Sequence, residues 1–243
     1  MNVLISQREP SNKAPYVELG SKYGASCVFR PFFLIEPLSA KDLRAQKIDP
    51  SQYSAVVFSS RHAIDAYFAL CAEFKYKVPD TMKYFCTTEL VAMYLQKHIV
   101  YRKRKIFFGD GTPESVVSLV GTKHKGEKFL ITTTEGSKAE AVSSLFEAAG
   151  LDYTVGALIR PVAQNLKDLD LDSFDVAVLY NPNDVKALYE NFPGFEQGRL
   201  KFVTYGKGIV SAMESAGLNV SVQGPGPEIP SAVSALELCL KSL

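Results

Sequence analysis

Residues Tyr53 to Phe68, YSAVVFSSRHAIDAYF, decide the fold. Apolar and β-branched residues at 55–58 give way to polar residues at 59–62, and apolar residues then recur at helical spacing from Ala63. This pattern predicts a buried strand, a polar turn and a helix. The pattern returns in Phe174 to Tyr189, FDVAVLYNPNDVKALY. Because the backbone N–H groups at a helix start are left without intrahelical partners, the chain is predicted to present two places where an anion can bind.

The composition is that of an ordinary soluble globular protein. Of the 243 residues, 47% are hydrophobic and 22% are charged, and the net charge is +1 at pH 7. A net charge so close to zero argues against a role at nucleic acids or membrane surfaces. No apolar run approaches the ~20 residues of a membrane span, and the first ten residues lack a signal-peptide pattern. We therefore expect a cytoplasmic protein.

No metal or cofactor is expected. The four cysteines, Cys27, Cys71, Cys86 and Cys239, are scattered without a CxxC pair, and three histidines do not complete a zinc set. The cysteines are therefore predicted to be reduced and mostly buried. The phosphate-loop pattern GxxxxGK[ST] is absent, and no GxGxxG follows the first predicted strand.

The two halves of the chain, 1–126 and 127–243, carry the same predicted order of elements, β-α-β-(βα)-(βα)-β-α. Alternating strands and helices predict a parallel sheet with helices on both faces, where ligands bind beyond the carboxyl ends of the strands. Gly24 and Gly150 are each expected to follow a helix with positive φ. Ser137 lies three residues before Glu140, a capping-box spacing that predicts a helix start.

The second strand of each half is predicted at Arg30 to Pro37 and at Val155 to Pro161, segments that prolines flank. Proline is tolerated at sheet edges and in extended linkers rather than in central strands. The two segments can therefore pair as a connector between domains, in which case the first βα unit of one half lies with the later units of the other. The basic run at 102–105 is expected to form the solvated edge of a strand.

Polar residues follow the predicted strands at the expected ligand-binding edge. Ser59, Ser60 and Arg61 open one helix, and the Asn-Pro-Asn segment at 181–183 opens its counterpart. Their side chains can cap the helix, bind an anion, or do both, because the two roles use the same geometry. Lys207 lies between glycines after a strand, where an anion-binding role and a solvated loop charge are equally open.

These motifs, in this order, resemble those of the uroporphyrinogen-III synthase family. The family pattern Phe-Thr-Ser-x-x-Ala is similar to positions 58–63, and its Ser-Pro-Ser turn is similar to positions 181–183. Two further segments, GDGTPESVVSLV from Gly109 and KFVTYGKG from Lys201, extend the resemblance. The resemblance therefore covers nearly the whole chain.

The resemblance implies an α/β fold of two flavodoxin-like parallel-sheet domains joined by a two-stranded linker, with the first domain discontinuous. On this basis domain 1 is expected to comprise residues 1–32 and 162–243, and domain 2 residues 38–156. The linkers are then residues 33–37 and 157–161. This discontinuity agrees with the exchange of βα units that the prolines indicate.

The implied activity is that of a lyase without a cofactor. Hydroxymethylbilane loses water, ring D is inverted through a spiro intermediate, and the macrocycle closes as uroporphyrinogen III. The substrate carries carboxylates on every ring, which suits a site of helix starts, hydroxyls and amides. Loss of water leaves a reactive azafulvene, so positioning is expected to dominate over acid–base catalysis. We expect a monomer whose partners are this substrate and, transiently, the preceding pathway enzyme, with no nucleic acid or membrane.

Strand-end positions and the resemblance together predict the site residues. The expected substrate-binding residues are Ser6, Arg8, Ser59, Ser60, Arg61, Thr87, Thr112, Thr132, Thr133, Arg160, Asn181, Pro182, Asn183, Lys201, Gly206 and Lys207. The tyrosine that family members use for hydroxyl departure aligns with Ile159, so Tyr180, Tyr205 or a bound water would donate the proton. Loss of that tyrosine leaves open an alternative, a non-catalytic two-lobed module that binds a polycarboxylate.

Overall fold

The computed structural model describes residues 1–206 and 208–243. Its strands are β1 (Asn2–Ile5), β2 (Ser26–Phe29), β3 (Phe33–Pro37), β4 (Ala55–Phe58), β5 (Lys83–Cys86), β6 (Ile106–Phe108), β7 (Lys128–Thr134), β8 (Asp152–Ala163), β9 (Val176–Leu179), β10 (Lys201–Tyr205) and β11 (Val220–Gly224). Its α-helices are α1 (Ala14–Tyr23), α2 (Ala40–Ala45), α3 (Arg61–Glu73), α4 (Glu89–Tyr94), α5 (Pro113–Val120), α6 (Glu140–Ala148), α7 (Pro182–Asn191), α8 (Ile209–Ser215) and α9 (Ala232–Leu240).

The chain divides into two compact units. Unit 1 comprises Met1–Leu34 and Val162–Leu243, and unit 2 comprises Ile35–Pro161. The sheet of unit 1 has the order β11-β10-β9-β1-β2, with every neighbouring pair parallel. Counted along the unit's own chain, this is the order 2-1-3-4-5 of flavodoxin-like sheets. The first βα unit therefore pairs with strands from the end of the chain, and the predicted exchange is confirmed.

The sheet of unit 2 has the order β3-β8-β7-β4-β5-β6. From β8 to β6 the neighbouring strands are parallel. If β7 and β8 are counted as the first and second strands, and β4, β5 and β6 follow them, the order is again 2-1-3-4-5, as in flavodoxin-like sheets. Strands β3 and β8 lie side by side and both cross the boundary between the units. The predicted two-stranded connector is therefore confirmed.

Strand β4 shows why the central strands form. All four of its residues are buried, because side chains pack on both faces of the sheet. Val56 and Phe58 belong to the apolar cluster of one face, and Ala55 and Val57 to that of the other. Burying one Val or Phe side chain contributes roughly 1.5–3 kcal/mol. The counterpart strand in unit 1, β9, is buried in the same way, so both apolar runs are central parallel strands.

The predicted second strand at Arg30 to Pro37 is wrong in its bounds. The chain instead forms β2 before this segment and β3 within it. Pro31 interrupts the two strands, since proline has no N–H to donate to a ladder. Phe32 is buried in the core of unit 1. The short segment Ser26–Phe29 carries a weak strand pattern, which is why it was missed.

The glycine predictions are confirmed, whereas two local predictions are wrong. Gly24 follows α1 with φ 62°, and Gly150 lies just beyond α6 with φ 65°. The capping box at Ser137 does not form, because its hydroxyl accepts a hydrogen bond from the Ala139 N–H (3.2 Å). Ala139 itself has φ 50°, so α6 begins only at the next residue. The basic run 102–105 precedes β6 without forming a strand, although its first three residues are exposed as expected.

The cysteine prediction is confirmed. All four are free thiols, three of them buried and Cys27 partly exposed. Among the described residues, no group of His, Cys, Asp and Glu side chains could hold a metal ion. In the same residues, none of the helices has the length and apolarity needed to cross a membrane.

Candidate functional site

The structure brings most predicted site residues to the carboxyl edges of the two sheets, each within its own unit. In unit 2 the edge residues follow or end β4, β5, β6 and β7, and they are Ser59, Ser60, Arg61, Thr87, Thr112, Thr132 and Thr133. In unit 1 they follow or end β1, β9 and β10, and they are Ser6, Arg8, Tyr180, Asn181, Pro182, Asn183, Tyr205 and Gly206. Lys207 lies outside the described residues.

The start of α3 in unit 2 keeps free backbone donors. The predicted cap is confirmed, because the Ser60 hydroxyl accepts a hydrogen bond from the Ala63 N–H (3.2 Å). Within the part of the chain described, the N–H groups of Arg61 and His62 have no acceptor. Ser59 is exposed beside them. This helix start can therefore hold an anion while it remains capped.

The start of α7 in unit 1 is different, because the Asp184 carboxyl already accepts hydrogen bonds from backbone N–H groups of the turn. The Asp184 Oδ2 atom accepts hydrogen bonds from the N–H groups of Tyr180 (2.8 Å) and Asn181 (3.0 Å). The Ser6 hydroxyl donates a third bond to the same oxygen (2.8 Å). The Asn183 N–H donates to the Asn181 side chain (3.0 Å). The backbone donors of this turn are therefore satisfied internally.

Asp184 is a buried carboxyl with an unsatisfied oxygen. The residue is 1% exposed, and its Oδ1 atom has no hydrogen-bond partner among the described residues. Burial raises the pKa of Asp184 to about 6, although the three hydrogen bonds act in the opposite direction. Sequence reasoning missed this residue. The signal was present in the spacing Asn-x-x-Asp from Asn181, which forms a capping box in the structure.

A cavity of about 430 Å³ opens in unit 2 where β4 and β7 end. This is the switch point of the sheet order, where ligands bind in flavodoxin-like folds. Ser59, Thr87 and Thr133 line the cavity together with the first turn of α6. The Thr132 hydroxyl is engaged, since it donates to the Val57 carbonyl (2.7 Å). Thr133 is only 9% exposed and also borders a neighbouring groove of about 790 Å³. The cavity and the groove therefore lie next to each other.

Three of the predicted residues are placed less favourably for binding. Lys201 begins β10, so it lies at the amino edge of the sheet and away from the other candidates of unit 1. The Thr112 hydroxyl donates to the Asp110 carboxylate (2.6 Å) and accepts from the Ser115 N–H (3.3 Å). Arg160 is exposed near the end of β8. These residues remain predictions as substrate contacts.

The two tyrosines that were predicted as proton donors, Tyr180 and Tyr205, have different surroundings. The Tyr205 hydroxyl donates to the Pro230 carbonyl (2.6 Å). Tyr180 directly follows β9 and is partly buried against the apolar cluster of one face of the sheet. Ile159 is buried and brings no hydroxyl.

The fold and the polar carboxyl edges define a class of protein, two open parallel α/β units of flavodoxin-like order linked by two strands. The family model for uroporphyrinogen-III synthase HemD matches residues 14–234. The chain belongs to this family, whose members are cyclising lyases of tetrapyrrole synthesis. The predicted fold class and family are thereby confirmed, and nothing supports the non-catalytic alternative.

Solved structures agree with this fold. The chain is similar to a mutant uroporphyrinogen III synthase from the extremely thermophilic bacterium Thermus thermophilus, with 14% identity, full coverage of both chains and a TM-score of 0.57. It is also similar to uroporphyrinogen-III synthetase from Helicobacter pylori, with 14% identity and a TM-score of 0.59 over 100% of this chain and 99% of that one. Comparison with curated protein sequences gives no match.

Proposed function

We propose that this chain converts hydroxymethylbilane into uroporphyrinogen III, with loss of water and inversion of ring D. The observation that carries this proposal is the family match, which extends over residues 14–234 and therefore draws on both units. The site residues add a chemical reason. Hydroxyls and amides recur at the carboxyl edges of both units, unit 2 adds the free donors of the α3 start, and these groups suit a ligand that carries many carboxylates.

The site residues are proposed to bind and orient the bilane. In unit 2, the free N–H groups of Arg61 and His62 and the hydroxyls of Ser59 and Thr133 would receive substrate carboxylates. In unit 1, the side chains of the Asn-Pro-Asn turn would contact the substrate, since its backbone donors are used. Binding both ends of the bilane lowers the entropic cost of bringing its reacting atoms together in the right orientation.

The chain is further proposed to act as a cytoplasmic monomer. Its site needs no second subunit in this proposal, because both polar edges belong to the same chain. A transient contact with the preceding enzyme of the pathway would protect the unstable bilane during transfer. Sedimentation of the purified protein, alone and with that enzyme, tests both points; a stable dimer of the chain alone would contradict the first.

The activity is tested with purified protein and freshly prepared hydroxymethylbilane. Oxidised products are separated by chromatography to give the ratio of type III to type I isomer. We expect the type III isomer to predominate with the protein and the type I isomer, which forms spontaneously, without it. Type I alone in both samples would contradict the proposed function.

A further inference from the structure

The first half of β8 is an open edge of the sheet in unit 2. Strand β7 pairs with β8 from Asp152 to Ile159, whereas β3, on the other side, lies beside only Leu158 and the residues after it. The Leu38 N–H donates to the Leu158 carbonyl (2.8 Å), and the chain then leaves the sheet to begin α2. Within the part of the chain that the structure describes, no strand continues β3 along residues 153–157.

The side chain of Gln46 shows which way the backbone of this edge points. The Ala157 N–H donates to Gln46 Oε1 (2.9 Å), and Gln46 Nε2 donates to the Ala157 carbonyl (3.0 Å). The backbone groups of Ala157 thus point away from β7, and along a strand this direction alternates from residue to residue. Because the register with β7 is regular up to Ala157, the N–H and C=O groups of Tyr153 and Val155 also face the open side. The described residues supply no strand to pair with them there.

This open edge lies in the groove of about 790 Å³. Tyr153, Val155 and Ala157 line the groove, the end of α2 forms one wall, and the loop after β7 forms the other together with α6. The two walls leave room for one extended segment, but they keep the whole sheet edge of a second copy away from β8. A segment that covers residues 153–157 needs about five residues, or ~17 Å at ~3.3 Å per residue.

The composition of the edge favours pairing. Proteins commonly block a free edge with charged side chains, proline or a very short strand. Residues 153–157, YTVGA, contain no charge and no proline, and Tyr, Thr and Val favour strands. On the walls of the groove, Asp42 and Glu135 outnumber Lys138, so the groove is weakly acidic. A segment with uncharged β-branched residues at its centre and a basic residue at one end would match this surface.

We propose that the open half of β8 binds an extended segment of another protein, which adds to the sheet of unit 2 as a further strand in line with β3. Main-chain hydrogen bonds to Tyr153 and Val155 supply the affinity, as in other complexes formed by β-strand addition. The partner segment carries β-branched residues and a Lys or Arg near one end. The surface needs no substrate, so it is independent of the proposed function.

Amide hydrogen exchange tests the open edge in the protein alone. The N–H groups of Thr154 and Gly156 face β7, so they should exchange slowly. Those of Tyr153 and Val155 face the groove and should exchange roughly 100-fold faster. Equal protection of all four N–H groups would overturn the open edge.

Selection of peptides tests the partner, with two variants of one residue. A library of seven-residue peptides displayed on phage is selected on the purified chain. Val155→Pro removes one N–H of the edge, where proline is tolerated, whereas Val155→Ala keeps that N–H. Selected peptides should bind Val155→Ala like the wild type and Val155→Pro roughly tenfold more weakly, because a main-chain hydrogen bond is lost. The melting temperatures of the two variants should be alike, which shows that both are folded.

A selected peptide should also slow the exchange of the Tyr153 and Val155 N–H groups, since they become hydrogen-bonded to it. Failure to select any peptide, or equal binding to both variants, would overturn the proposal. A dimer of the chain that Val155→Pro abolishes would overturn it as well, because a second copy would then occupy the edge.

Discussion

Asp184 is the residue whose environment departs most from that of an ordinary surface carboxylate. Its three hydrogen-bond donors stabilise the ionised form, yet its pKa is still raised because the group is buried and no cation bonds to it in the described part of the chain. A buried acid with a raised pKa destabilises the folded state once it is ionised. Asp184 thus links the loop after β1 to the turn after β9, and the free-energy cost of its ionisation depends on pH.

The stability of the protein is expected to fall as the pH rises from 3.8 to about 6, because of Asp184. Its pKa is raised from 3.8 to about 6, so the folded chain retains a proton that the unfolded chain has lost. The stabilising effect of that proton is complete below pH 3.8 and disappears as the pH rises through about 6. At about 1.4 kcal/mol per pKa unit, the loss is about 3 kcal/mol at most. Urea unfolding below pH 3.8 and well above pH 6 measures this loss of stability.

Asp184→Asn should remove this dependence, since an amide does not ionise. Ser6→Ala serves as the matched control, because it removes one hydrogen bond but leaves the carboxyl in place. In Ser6→Ala, the slope of the unfolding free energy against pH should stay the same or become steeper. An unchanged slope in Asp184→Asn would show that another group causes the dependence.

The two matching helix starts differ at the scale of the element. In α3 the hydroxyl of Ser60 caps one N–H and leaves two donors free, whereas in α7 the carboxyl of Asp184 and the amide of Asn181 take the donors. A duplicated strand–turn–helix pattern has therefore produced one open helix start and one closed one. The open start is the better carboxylate site.

Arg61→Pro tests the open start directly. Proline is accepted at the first position of a helix, and Ser60 before it already has extended backbone (φ −152°, ψ 158°) that proline requires. The variant loses one free N–H and the guanidinium, whereas Arg61→Ala loses only the guanidinium. KM for the bilane should rise further in the proline variant, with unchanged thermal stability. Identical KM values would show that this N–H binds no substrate.

The double variant Ser60→Ala with Asn181→Ala examines both turns together. Each substitution removes a cap, at a cost of about 1 kcal/mol to stability. We expect weaker use of substrate in a protein that still folds, measured as kcat/KM alongside a thermal melt. Wild-type kcat/KM would show that the two turns serve only as caps.

Regular elements were largely predictable from the sequence, whereas side-chain partners were not. The buried runs of β4 and β9 were clear, because both faces of a central parallel strand are apolar. Strand β2 was not predictable, because its four residues are all at least partly exposed and show no clear apolar pattern. The left-handed backbone of Ala139 was not predictable either, because alanine does not favour positive φ. The hydrogen bond between Ser6 and Asp184 joins residues far apart in the chain, which periodicity cannot reveal.

At the scale of the whole molecule, the exchange of βα units makes the two units unequal as folding segments. Unit 2 is a continuous segment, Ile35–Pro161, while unit 1 needs both ends of the chain. A fragment of residues 35–161 should therefore unfold cooperatively in urea. A chain that lacks residues 1–34 should lose the cooperative unfolding of unit 1, because β9 would lose its neighbour β1. A fragment without a cooperative transition would contradict this division and the proposed domain bounds.

The isomer composition of the product is the most direct test of the central claim. The protein is incubated with hydroxymethylbilane, and the uroporphyrinogens are oxidised and separated, with a sample lacking protein as the reference. We expect mainly the type III isomer from the wild-type chain, formed faster than the type I isomer of the reference sample. Type I isomer alone, at the rate of the reference sample, would contradict it.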